Sequence, residues 1–422
     1  YIDNVSLIPG IFVDEDGLTG PFSLGNHDGQ LGDNVVSDSD GDNNEATNTG
    51  NLNIRWGADS VDSGIDTTGA SGSFIQDQPN GQGDRSVTFT NAEVAVTGVA
   101  TLFSHGELVT YSLNLDRTVL TATAGTRTVF QVSLRDEGTG QFRFVLSDQL
   151  DHAPGQNEND IGLSFNFTAT DSDGDAVNGS FFVGVDDDVP VANASGRVSG
   201  RVDEDDLSAG AGDNSTGIQA EGIGGSDSTT DKVTFSAATL GSLVSGIGAD
   251  EPGQVGLISA FASGTAVKDT TGNDVKSHGF AVKYAIVGSD VVGFADANGN
   301  NVRDSGENDV FRLSQDASGT ITFDLHDQID HPRASGDGGE LTLDLSAALI
   351  IKDFDGDIAP VGSASFTIVV ENDIPAGTTA TITVAVGEDT LSTSAPAPAD
   401  LTNGIPDAGD PKTDEAIFTN AA

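Results

Sequence analysis

The sequence contains no cysteine and no methionine, and it has only one tryptophan and three tyrosines. Without cysteine, neither disulfide bonds nor thiolate metal sites can stabilise the chain. Packing and hard-metal ligation must supply the stabilisation that disulfides give many secreted proteins. Because calcium is abundant outside cells and scarce inside them, this combination favours an extracellular protein.

Basic residues are also scarce, since 17 Lys and Arg stand against 66 Asp and Glu, for a formal net charge of -49. The sequence lacks the Lys/Arg runs by which proteins bind nucleic acid or anionic membranes. It shows no signal-peptide pattern and no membrane-spanning apolar stretch. Charge of one sign repels itself in a compact fold, and divalent cations are its natural counterions. We therefore expect calcium as the cofactor, no nucleic-acid partner and no membrane insertion of this segment.

An acidic chain with few aromatic residues can also be disordered. Against this, hydrophobic residues make up 36% of the chain and phenylalanine occurs 21 times. Apolar and polar residues alternate at 163–168 and at 341–346, which is typical of strands with one buried face. The sequence predicts an all-β fold, with a short helix expected only in 251–266.

The chain repeats itself with a spacing of roughly 185 residues. The block VDEDGL at 13–18 returns as VDEDDL at 202–207 and as VGEDTL at 386–391. Later blocks keep the same order: LSDQLDH at 146–152 with LHDQIDH at 325–331, TDSDGD at 170–175 with KDFDGD at 352–357, and DDDVP at 186–190 with ENDIP at 371–375. Ordered matches of this kind indicate duplicated domains.

We predict tandem β-sandwich units of the Ig-like or cadherin-like kind, joined by short acidic linkers that contain proline. The predicted units are the tail of a preceding repeat at 1–9, repeat one at 10–191, repeat two with a calcium-loop insertion at 192–376, and a truncated third repeat at 377–422. Since YIDNV at the start resembles ENDIP, we expect the array to continue in both directions.

The segment DANGNNVRDSGE at 296–307 has the spacing of a twelve-residue calcium loop. Its ligand positions are filled by Asp296, Asn298, Asn300, the backbone of Val302, Asp304 and Glu307. Asn301 stands where such loops usually have glycine, and asparagine tolerates the left-handed backbone required there. We predict a calcium site in this loop, although it has no flanking helices; the alternative is a polar hairpin tip.

Aspartate also recurs with a period of two beside glycine, in the triplets Asp38, Asp40 and Asp42; Asp171, Asp173 and Asp175; and Asp353, Asp355 and Asp357. Alternate side chains of a tight loop can converge on one hard cation. A solvated hairpin turn is the alternative for each triplet, and the first triplet lies in a polar stretch.

Acidic residues concentrate at the joins between repeats. The first join has Asp186, Asp187 and Asp188 followed by Asp203, Glu204 and Asp205, and the second has Glu371, Asn372 and Asp373 followed by Glu388 and Asp389. Like-charged clusters brought to one pole repel unless a cation bridges them. The arrangement is reminiscent of cadherin linkers, in which neighbouring domains share calcium. A linker without metal is the alternative.

The histidines raise the question of catalysis. His152 and His331 recur at equivalent positions near aspartates, but duplication in every unit suits a structural hydrogen bond better than an active site. The sequence contains no nucleophile elbow, no HExxH motif and no phosphate loop. We expect no enzymatic activity.

Units that begin with VDEDxL and end with DSDGDxVxGSFxVxVDDDVP resemble the long repeats of RTX-type adhesins, which type I systems secrete from Gram-negative bacteria. The resemblance covers nearly the whole chain, but the RTX nonapeptide is not in this segment. It implies folding on calcium outside the cell, and a spacer role at the bacterial surface in attachment and biofilm formation. The alternatives are a self-assembling surface-layer or filament protein, with copies of itself as partners, and a carbohydrate-binding module. Neighbouring repeats of the same chain are the expected partners of a spacer.

Overall fold

Strands account for nearly all regular structure in the protein, as the alternating sequence predicts. The computed structural model describes residues 10–25, 46–62, 67–68, 74–75, 83–155, 159–209, 212–218, 230–333 and 339–375. The predicted tail at 1–9, the predicted third repeat at 377–422 with Glu388 and Asp389, and the Asp38, Asp40 and Asp42 triplet lie outside these residues. Within the described part of the chain, no helix is long and apolar enough to cross a membrane.

Repeat one is a set of strands interrupted by a single described 3-10 helix at Glu15–Gly17. Its strands are β1 Gly10–Asp14, β2 Thr47–Asn51, β3 Thr67–Thr68, β4 Phe74–Ile75, β5 Ser86–Phe89, β6 Ala95–Thr97, β7 Phe103–Ser104, β8 Glu107–Leu113, β9 Val119–Ala124, β10 Arg127–Arg135, β11 Gln141–Leu146, β12 Ile161–Thr170 and β13 Ala176–Asp186.

Two large sheets form this repeat, and β3 and β4 pair as a separate two-stranded sheet. One has the order β1-β13-β12-β5, with β6 also on β12, and the other has the order β2-β11-β10-β9-β8-β7. The strands β1 and β13 are parallel, with Asp14 opposite Asp186. Because parallel strands point the same way, the first strand and the last strand of the repeat end at the same pole.

Phenylalanines fill the space between the two sheets. Phe165 and Phe181 of one sheet stack at 5.1 Å between ring centroids, and Phe142 of the other sheet stacks on Phe181 at 4.2 Å. All three rings are fully buried. The alternation at 163–168 therefore places its apolar face in the core, which confirms the predicted strand.

Repeat two also consists mainly of strands. Its described helices are one α-helix, α1 Ala237–Leu240, and 3-10 helices at Glu204–Asp206, Gly241–Leu243 and Ser346–Ala348. Its strands are β14 Val191–Ala192, β15 Val198–Asp203, β16 Lys232–Phe235, β17 Val244–Gly246, β18 Gln254–Leu257, β19 Lys268–Asp269, β20 Lys276–Ser277, β21 Phe280–Val287, β22 Asp290–Ala295, β23 Asp309–Gln315, β24 Ile321–Leu325, β25 Glu340–Asp344, β26 Leu349–Lys352, β27 Ile358–Pro360 and β28 Phe366–Glu371.

The sheets of repeat two follow the plan of repeat one. Their orders are β15-β28-β25-β19 and β16-β24-β23-β22-β21-β20, with smaller sheets β18-β26-β27 and β14-β17. The first and last strands are again parallel, and Asp203 lies opposite Glu371. In both repeats the VDED block ends a strand and starts a 3-10 helix, capped by Asp14 or by Asp203. The predicted all-β fold of tandem units is confirmed, and the boundary numbers stay predictions.

The prediction of a short helix in 251–266 is wrong. That segment contributes strand β18 to a sheet, while the helix α1 lies earlier, where the Ser236 side chain accepts a hydrogen bond from the Thr239 amide. Serine satisfies a free amide at a helix start in this way. Gly253 and Gly256 weaken any helix in the later segment.

We expect Phe165→Ala to lower the free energy of unfolding by about 3–5 kcal/mol, because it removes a fully buried ring from the core. The measurement is calorimetric unfolding of the whole chain in calcium. Leu115→Ala is the control, since Leu115 is 96% exposed and its change belongs within about 0.5 kcal/mol. Equal effects of the two changes would contradict the core assignment.

Candidate metal centre

Acidic residues of both repeats converge at the end of repeat one. Strand β1 leads into the 3-10 helix that carries Glu15, and its parallel partner β13 leads into Asp187 and Asp188. The parallel pairing thus brings residues that are about 170 positions apart to the same pole. Both Glu15 and Asp187 are buried there, at 0% and 1% exposure.

Repeat two contributes the loop 353–357, between β26 and β27, and Asp250, just before β18. The loop carboxylates accept hydrogen bonds from the backbone of repeat one: the His152 amide lies 2.9 Å from Asp355 Oδ2, and the Gly155 amide lies 2.9 Å from Asp357 Oδ1. The aspartate-rich loop of repeat two therefore docks directly on the last residue of the LSDQLDH block of repeat one and on Gly155 just after it.

Two further hydrogen bonds cross between the repeats. Gln149 Nε2 donates to Asp250 Oδ1 at 2.6 Å, and the Ala249 amide donates to Asp188 Oδ2 at 2.7 Å. Gly248, with a φ of 90°, leaves the space for this approach, because a Cβ atom there would come within 2.7 Å of Asp188 Oδ1. Each repeat thus supplies both donors and acceptors to the contact.

We call this group the joint cluster, and its members are Glu15, His152, Asp187, Asp188, Asp250, Asp353, Asp355 and Asp357. Seven of the eight carry carboxylates, and only His152 can carry positive charge. All are buried except the half-buried Asp355. Burying so many like charges without compensation is strongly unfavourable.

Two sets of potential ligand atoms stand out in the joint cluster. Glu15, His152 and Asp187 form one set, and Asp187, Asp355 and Asp357 form the other, with the ligand atoms of each set within 4.8 Å of one another. Asp187 belongs to both. In either set, the ligand atoms are close enough to bind the same cation.

The pKa values reflect this crowding. Burial raises the pKa of Asp353 to about 8 and that of Asp357 to about 6, and the charge of Asp355 adds to both. Burial also raises the pKa of Glu15, and it raises the pKa of Asp187 and Asp250 well above the usual range. These carboxyl groups need a proton or a cation to remain in place near neutral pH.

Burial alone would lower the pKa of His152, but the neighbouring Asp187 and Glu15 outweigh it and raise that pKa to about 10. One imidazolium still leaves most of the joint cluster uncompensated. Several buried carboxylate oxygens have no hydrogen-bond partner, namely Glu15 Oε2, Asp250 Oδ2, Asp353 Oδ2 and Asp357 Oδ2. Unpaired buried oxygens of this kind suit a hard divalent cation.

Several residues predicted as separate sites come together in the joint cluster. Asp187 of the first join meets Asp355 and Asp357 of a loop in the next repeat, and Asp188 accepts a hydrogen bond from the Ala249 amide of that repeat. The join and the loop 353–357 were predicted as two independent sites. Their meeting depends on docking between repeats, which spacing along the chain does not reveal.

The sequence predicts that Asp186–Asp188 and Asp203–Asp205 lie at one pole, but the structure pairs each of these blocks with another acidic block. Asp203 lies opposite Glu371, and the Asp373 amide lies 3.4 Å from Glu204 Oε2. The first acidic block of each repeat therefore pairs with the last acidic block of the same repeat. The cause is the parallel pairing of the first and last strands of each repeat, which the acidic blocks alone do not indicate.

Three members of the joint cluster, Glu15, His152 and Asp250, were missed as site residues. A short signal for Asp250 exists, because the triplet Gly-Ala-Asp occurs at 57–59 and again at 248–250. In both copies the aspartate carbonyl accepts a hydrogen bond at 3.0 Å from the aspartate-rich loop, from Ser172 in one repeat and from Phe354 in the other.

The equivalent loop of repeat one forms an exposed group. Asp59, Asp171 and Asp173 hold ligand atoms within 4.8 Å of one another, and Asp175 is not part of this set. The Asp171 side chain accepts a hydrogen bond at 2.9 Å from the Asp175 amide, just as Asp353 accepts one at 2.7 Å from the Asp357 amide. This hydrogen bond within the loop is therefore the same in both repeats.

The predicted calcium loop at 296–307 closes on itself through its own ligand side chains. The Glu307 carboxylate accepts hydrogen bonds at 3.0 Å from the amides of Ala297 and Asp304. Asn301 has a φ of 61°, the left-handed conformation expected at this position. Asp296 is buried, and its Oδ1 has no hydrogen-bond partner.

The remaining predicted ligands lie at the exposed tip of the same loop. Asn298 and Asn300 donate to Asp304 Oδ2 at 2.9 and 2.7 Å, and these bonds lower the pKa of Asp304. The Val302 amide donates to the Asn300 side chain at 2.8 Å. Calcium binding in this loop stays a prediction.

His152 and His331 lie within hydrogen-bond distance of backbone carbonyls. Asp148 pairs with His105 at 3.0 Å, and not with His152. His331 lies with both ring nitrogens against backbone carbonyls, 2.9 Å from Ile329 and 3.1 Å from Val370. His152 shares only one such contact, to the carbonyl of Asn159 at 2.6 Å.

In chelator, we expect the melting temperature to fall as pH rises from about 4 to about 8. A carboxyl group with a raised pKa binds its proton more tightly in the folded state, so its stabilisation is lost as pH passes through the folded value, about 8 for Asp353. The raised pKa of His152 acts in the same direction. Calorimetry over this range measures the slope.

Asp353→Asn should flatten that slope, and Asp316→Asn should leave it unchanged because Asp316 lies in an exposed turn. A melting temperature that rises with pH in chelator would contradict the assignment of buried, repelling carboxylates.

No protein-family model and no curated protein matches the chain. Among solved structures, it is similar to extracellular cadherin domains 3-6 of protocadherin gamma B2, at 13% identity over 86% of this chain and 70% of that chain, with a TM-score of 0.17. It is similar to the human desmocollin-1 ectodomain at 10% identity, 72% and 36% coverage and a TM-score of 0.13. A SusE-like surface-located polysaccharide-binding protein of Bacteroides thetaiotaomicron matches at 11% identity, 67% and 49% coverage and a TM-score of 0.09. Scores this low carry no inference about the function of this chain.

Proposed function

We propose that the chain is a calcium-stiffened spacer in the extender region of a large extracellular bacterial adhesin, where it supports surface attachment and biofilm formation. The observation that carries this proposal is the joint cluster, because carboxylates of two successive repeats are buried together there. Calcium bound at that position neutralises both repeats at once and fixes their relative orientation.

The energetics of the joint cluster favour this role. A cation that binds only the docked state stabilises it by about 2.7 kcal/mol at a hundredfold excess over its dissociation constant. Without a cation, repulsion among Asp187, Asp355 and Asp357 opposes docking. The orientation of one repeat on the next thereby becomes dependent on calcium.

The composition supports the cellular setting. A chain without cysteine and with a net charge of -49 gains most from calcium outside the cell. Before secretion, scarce calcium keeps the carboxylates repelling and disfavours premature docking. This fits the type I export and surface location that the resemblance to RTX adhesin repeats implies.

We expect millimolar calcium to increase both the maximum dimension of the chain in small-angle scattering and its melting temperature, at fixed ionic strength that excludes simple screening. The double variant Asp355→Asn and Asp357→Asn should lose most of both responses, since it removes two carboxylates that bond the backbone of repeat one.

The matched control is Asp173→Asn with Asp175→Asn, which changes the equivalent loop of repeat one outside the joint cluster and should keep the calcium-dependent increase in maximum dimension. If calcium left the dimension and the melting temperature of the unmodified chain unchanged, the spacer proposal would fail. Lateral self-association in calcium would instead favour a surface layer or filament.

For the loop 296–307, we expect Glu307→Gln to weaken calcium binding at that loop by about tenfold or more, because a neutral amide replaces a carboxylate ligand. The calcium response at the joint cluster should remain. Calorimetric titration of the whole chain separates the two, with Asp290→Asn as the control outside the loop. A calcium-soaked crystal with water alone at the loop would refute this site.

A further inference from the structure

The side chain of His152 is unusual within the joint cluster because one of its nitrogens has no hydrogen-bond partner. Nδ1 lies 2.6 Å from the carbonyl oxygen of Asn159, so Nδ1 carries a proton and donates it. Nε2 is buried, and among the described residues no group forms a hydrogen bond with it. A histidine held through Nδ1–H on a carbonyl, with Nε2 left bare, is the arrangement of a metal-binding imidazole.

The distance from His152 Nε2 to Glu15 Oε1 is 3.6 Å. That is too long for a hydrogen bond, which needs about 2.7–3.2 Å. Two ligands of a tetrahedral cation, each at about 2.0–2.1 Å, lie about 3.4 Å apart. The observed separation therefore fits two ligands of one ion better than it fits a direct bond between the side chains.

Two carboxylates complete the set. A carboxylate oxygen of Asp187 lies within 4.8 Å of a Glu15 carboxylate oxygen and of a ring nitrogen of His152. Asp187 Oδ2 lies 3.9 Å from the Nδ1 side of the ring, and all three side chains are buried. Glu15 Oε2 has no hydrogen-bond partner, while Glu15 Oε1 accepts a bond from the Leu150 amide at 2.6 Å. The amide fixes the carboxylate and leaves its second oxygen available to a ligand.

The donor set discriminates between metals. Calcium takes oxygen ligands, whereas imidazole with carboxylates suits zinc and other first-row transition ions. The second set, Asp187 with Asp355 and Asp357, offers oxygen alone. One carboxylate, that of Asp187, thus lies between a nitrogen-containing site and an oxygen-only site.

We propose that the joint is a two-cation centre, in which Glu15, His152 and Asp187 bind a first-row divalent transition ion beside a calcium ion bound by Asp187, Asp355 and Asp357. The inference rests on the proposed function for its second ion only, because all ligands of the first ion belong to repeat one. The transition ion fixes Asp187 before docking, and it thereby prepares the calcium site.

The test uses the whole chain, freed of metal by chelation and then titrated with Co²⁺ in millimolar calcium. We expect one tightly bound Co²⁺ per chain, with the visible absorption of a site that has a nitrogen ligand. His152→Ala should lower this affinity by about a hundredfold. His331→Ala is the matched control, because both nitrogens of His331 already contact backbone carbonyls.

A measurement without substitution guards against misfolding of the variant. The chain has six histidines, and ¹⁵N spectra of labelled histidine should show one Nε2 resonance shifted by Zn²⁺. No shift, together with an imidazolium spectrum for His152, would overturn the proposal and identify this residue as a buried cation. Equal Co²⁺ affinity in His152→Ala and the unmodified chain would overturn it as well.

The two proposals fail separately. Calcium-dependent extension without any Co²⁺ or Zn²⁺ site removes the transition ion and leaves the spacer function intact. Binding of Co²⁺ at His152 without any calcium-dependent extension refutes the spacer function and the second ion, and it retains the site within repeat one.

Discussion

The arrangement of the two repeats depends on how buried carboxylates at their contact are neutralised. Glu15 and Asp187 from repeat one and Asp250 and Asp357 from repeat two are removed from water together. Charges in such a place must be protonated, paired or bound to metal. A single imidazole among seven carboxylates is too little, so the stability of the contact follows the supply of protons or cations. Without protons or cations, repulsion among the buried carboxylates opposes the docking that the backbone hydrogen bonds between the repeats stabilise.

The parallel pairing of first and last strands makes this contact possible. It brings the VDED block and the terminal acidic block of one repeat to the same pole, and this pole meets the aspartate-rich loop of the next repeat. The backbone amides of His152 and Gly155 then set the position of that loop. The register of docking is therefore specified by directional bonds, while the strength of docking is governed by charge.

Much of the fold was predictable, because alternation at 163–168 reports a buried face directly and ordered blocks report a duplicated unit. The acidic members of the joint cluster were also identified in part, since carboxylates near glycine are conspicuous. Their grouping was not predictable, because Asp187 and Asp355 meet only through tertiary docking. Glu15 was one of three acids in the VDED block, and Asp250 stood in a triplet too short to be significant alone. The helix α1 was missed because four residues give no periodicity.

The two repeats are not identical at the positions that matter for this contact. Asn372 stands in repeat two where repeat one has Asp187, and His331 uses both nitrogens where His152 uses one. The pole of repeat two therefore has an amide at the position of one carboxylate, and its described histidine has no ring nitrogen without a hydrogen-bond partner.

Each repeat carries an aspartate-rich loop with its Gly-Ala-Asp partner on one side of the contact, and the VDED block with its terminal acids on the other. Each complete unit therefore carries one half of a contact at each pole. Loss of a complete unit would bring the acidic pole of one remaining repeat to the aspartate-rich loop of another. A deletion that begins and ends at different points of the unit would instead leave a contact with mismatched halves.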